Sequence, residues 1–248
     1  MFPNLYETPI CLDKFHQCEA VLDVIYNPIT TKLTLDAQDL NIPYVNGLEM
    51  LVAQAKYAVE YFLDTNIKDS IIDKIYKDIL CKESNLVLLG MPSAGKTTIG
   101  KCLAAKMKKS FIDLDDVIVK KAGMRIPEIF HLFGEEGFRH LETLVAKKIS
   151  KEHNAVISTG GGIVLKKENI DALRLNGITF FIDRNLDDLI YKDSNRPLLN
   201  GKDSVEKLYT QRYPLYQKYA DQIIKNDGSL EQCVENIALA YEKKIYNI

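Results

Sequence analysis

The sequence predicts an α/β protein, a parallel sheet with helices on both faces, preceded by a small N-terminal α/β segment. Two observations carry this. From Leu86 onward, strand-like apolar runs at 86–89, 111–114, 155–159, 178–182 and 222–225 alternate with helical runs. Those helical runs lie at about 96–108, 135–150, 166–175 and 203–219, and a last one follows from Leu230. Strands alternating with helices build βαβ units, whose strands run parallel. The second observation is Gly90-Met91-Pro92-Ser93-Ala94-Gly95-Lys96-Thr97, between the strand-like Leu86 to Leu89 and the helix-like Ile99 to Met107. It matches the G-x-x-x-x-G-K-[ST] phosphate loop in the strand–loop–helix context that its mechanism requires. Backbone amides of the loop, and the positive end of the following helix, suit the phosphates of a nucleoside triphosphate.

Taken in order along the chain, three segments separate by pattern: 1–64, 65–83 and 84–248. In the first, Val21 to Tyr26 and Ile42 to Val45 read as strands, each closed by a turn signal, Asn27-Pro28 and Asn46-Gly47. A helix follows from Leu48 to about Leu63, with apolar residues at 48, 51, 52, 55, 58, 59 and 62. The connector 65–83 places Ile71, Ile72, Ile75, Tyr76, Ile79 and Leu80 on one helical stripe, which predicts a docked helix and not a loose tether. The remainder carries the alternating pattern, without internal repeat or low-complexity tract.

Composition excludes several classes. A chain of 248 residues with 46% hydrophobic and 27% charged residues suits a soluble globular protein. The net charge of −2 offers no nucleic-acid footprint. No apolar stretch approaches the roughly 20 residues of a membrane span, and Met1 to Phe15 does not read as a secretory signal. Five cysteines without a C-x-x-C pair, and four scattered histidines, suggest neither a disulfide framework nor a zinc site. A cytoplasmic location is expected.

The chemistry concentrates in six pieces. In the phosphate loop, Ser93, Ala94, Gly95, Lys96, Thr97 and Thr98 are the ATP-binding candidates. Lys96 would reach the β/γ-phosphates, and the Thr97 hydroxyl would sit on Mg²⁺. Next comes Phe111-Ile112-Asp113-Leu114-Asp115-Asp116, at the end of a strand. Asp113 could hold Mg²⁺ and Asp115 could accept a proton from a substrate hydroxyl. Alternatively, Asp115 or Asp116 caps a helix. In Gly134 to Glu142, the residues Glu135, Arg139 and Glu142 share one helical face. They form either a solvated salt-bridge ladder or a site in which Arg139 grips a substrate carboxylate. The run Ser158-Thr159-Gly160-Gly161-Gly162 ends a strand and allows close backbone approach to a ligand. Arg196-Pro197-Leu198-Leu199-Asn200-Gly201 reads as a lid that brings Arg196 over the phosphates, or as an ordinary surface loop. Finally, Arg212 in Arg212-Tyr213-Pro214-Leu215-Tyr216 could reach the same carboxylate as Arg139.

These six pieces in this order resemble the shikimate kinases, over about residues 84–245. The resemblance implies a nucleoside-monophosphate-kinase-like three-layer sandwich around a five-stranded parallel sheet, order 2-3-1-4-5. It implies catalytic roles for Lys96, Asp115 and Arg196, and metal contacts from Thr97 and Asp113. Shikimate contacts would come from Asp115, Arg139, Gly160, Gly161, Gly162 and Arg212, with Phe130 and Phe138 lining the pocket. ATP and shikimate would be the substrates and Mg²⁺ the cofactor. Departures are Ser93, where many members carry glycine, and Leu189, where many carry a second lid-side arginine; the nearest cation is Lys192. No basic residue after Arg212 matches the one some members place near adenine.

Residues 1–64 resemble instead the C-terminal end of shikimate dehydrogenases, through MFPN, DVIYNP and YVNGLEMLVAQA. In that family Tyr26 and Gln54 match positions near shikimate and Gly47 one near the nicotinamide. The catalytic Lys–Asp pair and the glycine-rich NADP loop are not found before Met1. The expectation is therefore the back portion of a dehydrogenase–kinase fusion, without dehydrogenase activity. The expected whole is a monomeric shikimate kinase whose residues 1–64 can contact another chain. The rival readings are a related small-molecule kinase such as gluconate kinase, or a nucleotide-binding regulatory or scaffold module without turnover.

Overall fold

The computed structural model describes residues 5–189 and 202–246. Two compact units divide the chain: residues 1–84 with 174–176, and residues 85–173 with 177–248. Arg196, Lys192, the rest of the expected lid and the MFPN end of the dehydrogenase resemblance lie outside the described residues.

The first unit pairs two short strands in parallel, β1 (Val21–Leu22) and β2 (Tyr44–Val45). The predicted strand from Val21 to Tyr26 shortens to two residues, because the Asp23 side chain accepts from the Ile25 amide and from the Thr31 hydroxyl. A helix the sequence reading omitted, α1 (Lys32–Asp39), follows. Thr31 caps it, with Thr34 closing a capping box. The long helix α2 (Gly47–Leu63) starts from Asn46, whose side chain accepts from the Leu48 amide at 3.1 Å. The connector forms α3 (Ser70–Glu83), packed on α2 with its apolar stripe half-buried and no residue fully buried. Leu22, Tyr61, Phe62 and Leu63 are all exposed in this unit.

The second unit starts with β3 (Asn85–Leu89), then α4 (Lys96–Met107), β4 (Ser110–Asp113), α5 (Leu114–Ala122) and α6 (Ile126–Ile149). It continues through β5 (Ala155–Ser158), α7 (Lys167–Arg174), β6 (Gly177–Asp183), α8 (Lys202–Tyr219), β7 (Gln222–Lys225) and α9 (Leu230–Tyr246). All strand pairs are parallel, and the sheet order is β4-β5-β3-β6-β7. Counted within this unit, that is the expected 2-3-1-4-5 order. The central strand β3 is buried at every residue, as a strand covered on both faces must be. Val87 and Leu89 face one layer, with Leu114 and Ile118 of α5, Ile129, Phe138 and Val145 of α6, and Tyr216 of α8. On the opposite face, α4 lies against Leu88 and Phe111 through Gly100 and packs against α9.

Two differences from the sequence reading matter for the site. The helix expected at 135–150 begins at Ile126 and is broken at Gly134, whose φ of 68° is reached without strain by glycine. And α5 follows β4 without a loop, because Asp113 both ends the strand and caps the helix.

The sheet is clamped at its N-terminal edge by Asn85, a fully buried residue. Its side chain accepts from the Ala155 amide at 2.9 Å and donates to the Glu152 carbonyl at 2.7 Å, so β3 and the entry to β5 are joined by one amide group. Asn85→Ala strands both backbone groups and is expected to cost about 2–4 kcal/mol. Urea denaturation measures this; a loss below about 1 kcal/mol would show that water replaces the clamp.

Candidate active site

Parallel strands bring their carboxyl ends to one edge, and there β3, β4 and β5 deliver the three motifs. The phosphate loop follows β3. Its last glycine, Gly95, is the N-cap of α4 and offers no side-chain cap, so the first-turn amides form an anion site. The Lys96 side chain is buried and donates to the carbonyls of Gly90 and Met91, both at 2.8 Å, which folds it over the loop it follows. Asn226, just after β7, donates from its side chain to the Ala94 carbonyl at 3.0 Å and braces the loop from the other side. Ser93, where the family resemblance places glycine in many members, holds a φ of 65°. A serine in this left-handed region carries a strain that glycine does not.

Asp113 ties this loop to the next motif. One carboxylate oxygen accepts from the Thr97 hydroxyl at 2.8 Å; the other accepts from the Asp115 amide at 3.0 Å. The helix cap is thus Asp113, not Asp115 or Asp116. That leaves the Asp115 carboxylate to point at Gly160, where an added Cβ would lie 2.8 Å from its Oδ1. The Ser158 hydroxyl lies 3.4 Å from that of Thr97. Hydroxyl and carboxylate oxygens are the hard donors that Mg²⁺ takes, and it needs few of them because it keeps waters and phosphate ligands. Among the described residues no cluster of three or more His, Cys, Asp or Glu could cage a metal. The Thr97–Asp113 pair therefore fits Mg²⁺ carried on a triphosphate.

Beyond Asp115 the second and third motifs interlock. Arg139 is 8% exposed and Glu142 is fully buried, with a 2.8 Å ion pair between them; Glu135 adds contacts of 3.2 and 3.3 Å. The ladder contacts form, with Arg139 and Glu142 inside the protein and Glu135 at its surface. Burial pushes the Glu142 carboxyl above its ordinary value, against the pull of Arg139. The other Glu142 oxygen, Oε1, has no hydrogen-bond partner among the described residues and lies 3.2 Å from the position of a Cβ on Gly160. A Cβ on Gly162 would sit 2.3 Å from the Arg139 guanidinium, so a larger residue there would displace the arginine head. One on Gly161 would meet Pro92 of the phosphate loop at 2.6 Å.

Arg212 completes the enclosure from α8. It is 2% exposed, and burial lowers its pKa, with the Arg139 charge adding to the effect. Its Nε is buried without a partner among the described residues, a donor aimed at no protein acceptor. Asp115, Arg139, Gly160, Gly161, Gly162 and Arg212 therefore meet in one place, joined to Ser93, Ala94, Gly95, Lys96, Thr97 and Thr98 through the Pro92–Gly161 contact. Phe130 and Phe138 pack beside it with tilted rings, 4.8 Å between centroids, and Arg139 lies 5.1 Å over the Phe138 ring. Leu189 is buried in the core. Glu142 was visible in the sequence only as a rung of a surface ladder. Ser158 and Tyr216 fall inside motifs that give them no role of their own, and Asn226 carries no sequence signal.

A cradle for phosphate oxygens that opens onto a pocket able to grip an anionic acceptor is what a small-molecule kinase requires. The sheet order around it is that of phosphate-loop kinases. Relatives narrow the class. A family model described as shikimate kinase matches residues 92–242. The chain is 42% identical over 158 residues to a shikimate kinase of Clostridium beijerinckii, covering 62% of this chain and 93% of that one. It is 43% identical over 148 residues to one of Burkholderia lata, covering 57% and 80%. Among solved structures, shikimate kinase from Acinetobacter baumannii in complex with shikimate is similar with a TM-score of 0.64 and 31% identity, over 68% of this chain and 98% of that one. The Aquifex aeolicus shikimate kinase is similar with a TM-score of 0.59 and 34% identity, over 64% and 97%. The chain belongs to the shikimate kinase family.

Proposed function

We propose that this kinase transfers the γ-phosphoryl group of ATP to the 3-hydroxyl of shikimate, giving shikimate 3-phosphate and ADP, with the residues above in defined roles. The observation that carries the reading is the meeting of Asp115, Arg139, Gly160–Gly162 and Arg212 in one pocket braced against the phosphate loop. Two buried guanidiniums, one with an Nε that has no partner among the described residues, suit a carboxylate as a fork of N–H donors. Asp115, whose carboxylate lies against Gly160 beside Glu142, would orient the attacking hydroxyl and take up its proton. Gly160, Gly161 and Gly162 bring backbone to the substrate where any side chain would collide.

On the nucleotide side, Ser93, Ala94, Gly95 and Thr98 frame the triphosphate with backbone amides and the helix terminus. Lys96 exchanges its two loop carbonyls for β/γ-phosphate oxygens and offsets the charge that develops as the phosphoryl group departs. Thr97 and Asp113 would hold Mg²⁺, which supplies charge neutralisation across the phosphates. Arg196 is assigned the lid role by its place in the family motif. Catalysis of this kind rests on positioning and electrostatics, with little covalent work for the protein.

The same reading places the protein in the cytoplasm as a monomer in aromatic amino acid biosynthesis. Among the described residues no helix is long and apolar enough to cross a membrane. Residues 1–64 are read as a shikimate dehydrogenase-like fragment, on the motifs DVIYNP and YVNGLEMLVAQA, able to contact another chain through its exposed apolar residues. No dehydrogenase activity is proposed for it, so NADP reduction on adding shikimate should not exceed a boiled control. A rate above that control contradicts the reading.

The roles separate kinetically. Lys96→Ala should lower kcat by about a thousandfold or more, since its charge acts mainly in the transition state. Arg139→Ala should raise the KM for shikimate at least tenfold, about the value of one charge-assisted hydrogen bond, and leave the KM for ATP near that of the parent. Coupled ADP-release assays read both, and undiminished turnover in the first or an unchanged KM for shikimate in the second would refute the assignment.

A further inference from the structure

The geometry points to Tyr216 as a positioning residue for the acceptor pocket, setting its Arg212 wall and its glycine wall together through one hydroxyl. The inference rests on the reading of Arg212 and Gly161 as shikimate contacts.

Tyr216 lies one helical turn beyond Arg212 on α8, so the two side chains share a face. The ring is fully buried and stacks on Phe181 of β6, 5.0 Å between centroids. The hydroxyl has more to do than fill space. It donates to the Gly161 carbonyl, and the Arg212 charge lies near enough to act on it. Burial raises the phenol pKa far above its ordinary value, so the group stays neutral and keeps its proton for that carbonyl.

Three consequences follow from this placement. The peptide plane between Gly161 and Gly162 is fixed from one side, because its carbonyl cannot turn without leaving a buried acceptor unpaired. That plane carries Gly162 beneath the Arg139 guanidinium, so the same hydroxyl helps to set the height of the first arginine over the pocket floor. And Arg212, one turn earlier on the same face of α8, lies near that hydroxyl, so the ring and the arginine are placed together. The arrangement meets the phosphate loop at Pro92, which has no N–H to give a phosphate. The influence of Tyr216 should therefore fall on shikimate and spare ATP.

Tyr216→Phe removes the hydroxyl and keeps the ring, its stacking and its volume. The expected result is a rise of about tenfold in the KM for shikimate, the loss of one buried hydrogen bond, with the KM for ATP within twofold and melting temperature near that of the parent. Calorimetric titration of shikimate should show the same loss in affinity. Arg212→Lys, made in the parent and in Tyr216→Phe, should have a smaller effect in the second background, since part of the Arg212 orientation is already gone. A KM for shikimate within twofold of the parent, an equal rise in both KM values, or fully multiplicative effects of the two substitutions would overturn the inference. Arg139→Ala run alongside separates the failures. If it raises the KM for shikimate while Tyr216→Phe does not, only Tyr216 is misassigned. If neither does, the pocket itself is misassigned and this inference falls with it.

Discussion

One carboxylate holds the two halves of the site in register. Asp113 accepts from the Thr97 hydroxyl with one oxygen and from the Asp115 amide with the other, at 2.8 and 3.0 Å. The first bond belongs to the helix that follows the phosphate loop; the second starts the helix that carries Asp115. The parallel sheet makes this possible. With β5 between β3 and β4, the loops after all three strands leave from the same edge, and a short side chain suffices to bridge them. On the proposed reading, an aspartate of either too long a reach or the wrong strand would leave the phosphoryl donor and the attacking hydroxyl without a shared frame.

The acceptor pocket shows the cost of such a frame. Arg139 and Arg212 are buried beside one another, an arrangement that repulsion and desolvation both oppose. Glu142 offsets part of that, yet it is itself buried, and its carboxyl is pushed upward by the same lack of water. The protein tolerates the strain because tight backbone passes between the charges: Gly160 against Asp115 and Glu142, Gly162 under Arg139. On the proposed reading, a bound carboxylate would offer an acceptor to the Arg212 side chain, whose Nε has none among the described residues.

Much of this was legible in the residues. The phosphate loop announced itself by pattern and flanking elements, and the run of apolar strands separated by helices gave a parallel sheet. The family resemblance supplied the order of that sheet. Less legible was α5, because Val117, Ile118 and Val119 are β-branched and follow a strand without a turn residue; only the cap by Asp113, a contact of the folded chain, starts the helix there. The first part of α6 was hidden by Gly134, which breaks the period at the point where the pattern was picked up. The burial of Arg139 and Glu142 could not be read from spacing, since a ladder at i, i+3 and i+4 looks the same in water and in a core. In the first unit α1 escaped notice for want of apolar periodicity, and it is the Thr31 capping box that marks its start.

The claim that Asp113 serves by its charge as well as by its hydrogen bonds can be isolated with Asp113→Asn. Asparagine retains an oxygen for the Asp115 amide and an amide group able to bond the Thr97 hydroxyl, so fold and cap should survive while the negative charge is lost. Turnover at saturating ATP and shikimate, measured as a function of Mg²⁺ with melting temperature as control, is the direct readout. The account predicts a fall in kcat of about a hundredfold or more, a higher Mg²⁺ requirement and a nearly unchanged melting temperature. Parent-like turnover at parent-like Mg²⁺ would contradict it, leaving Asp113 as a helix cap alone.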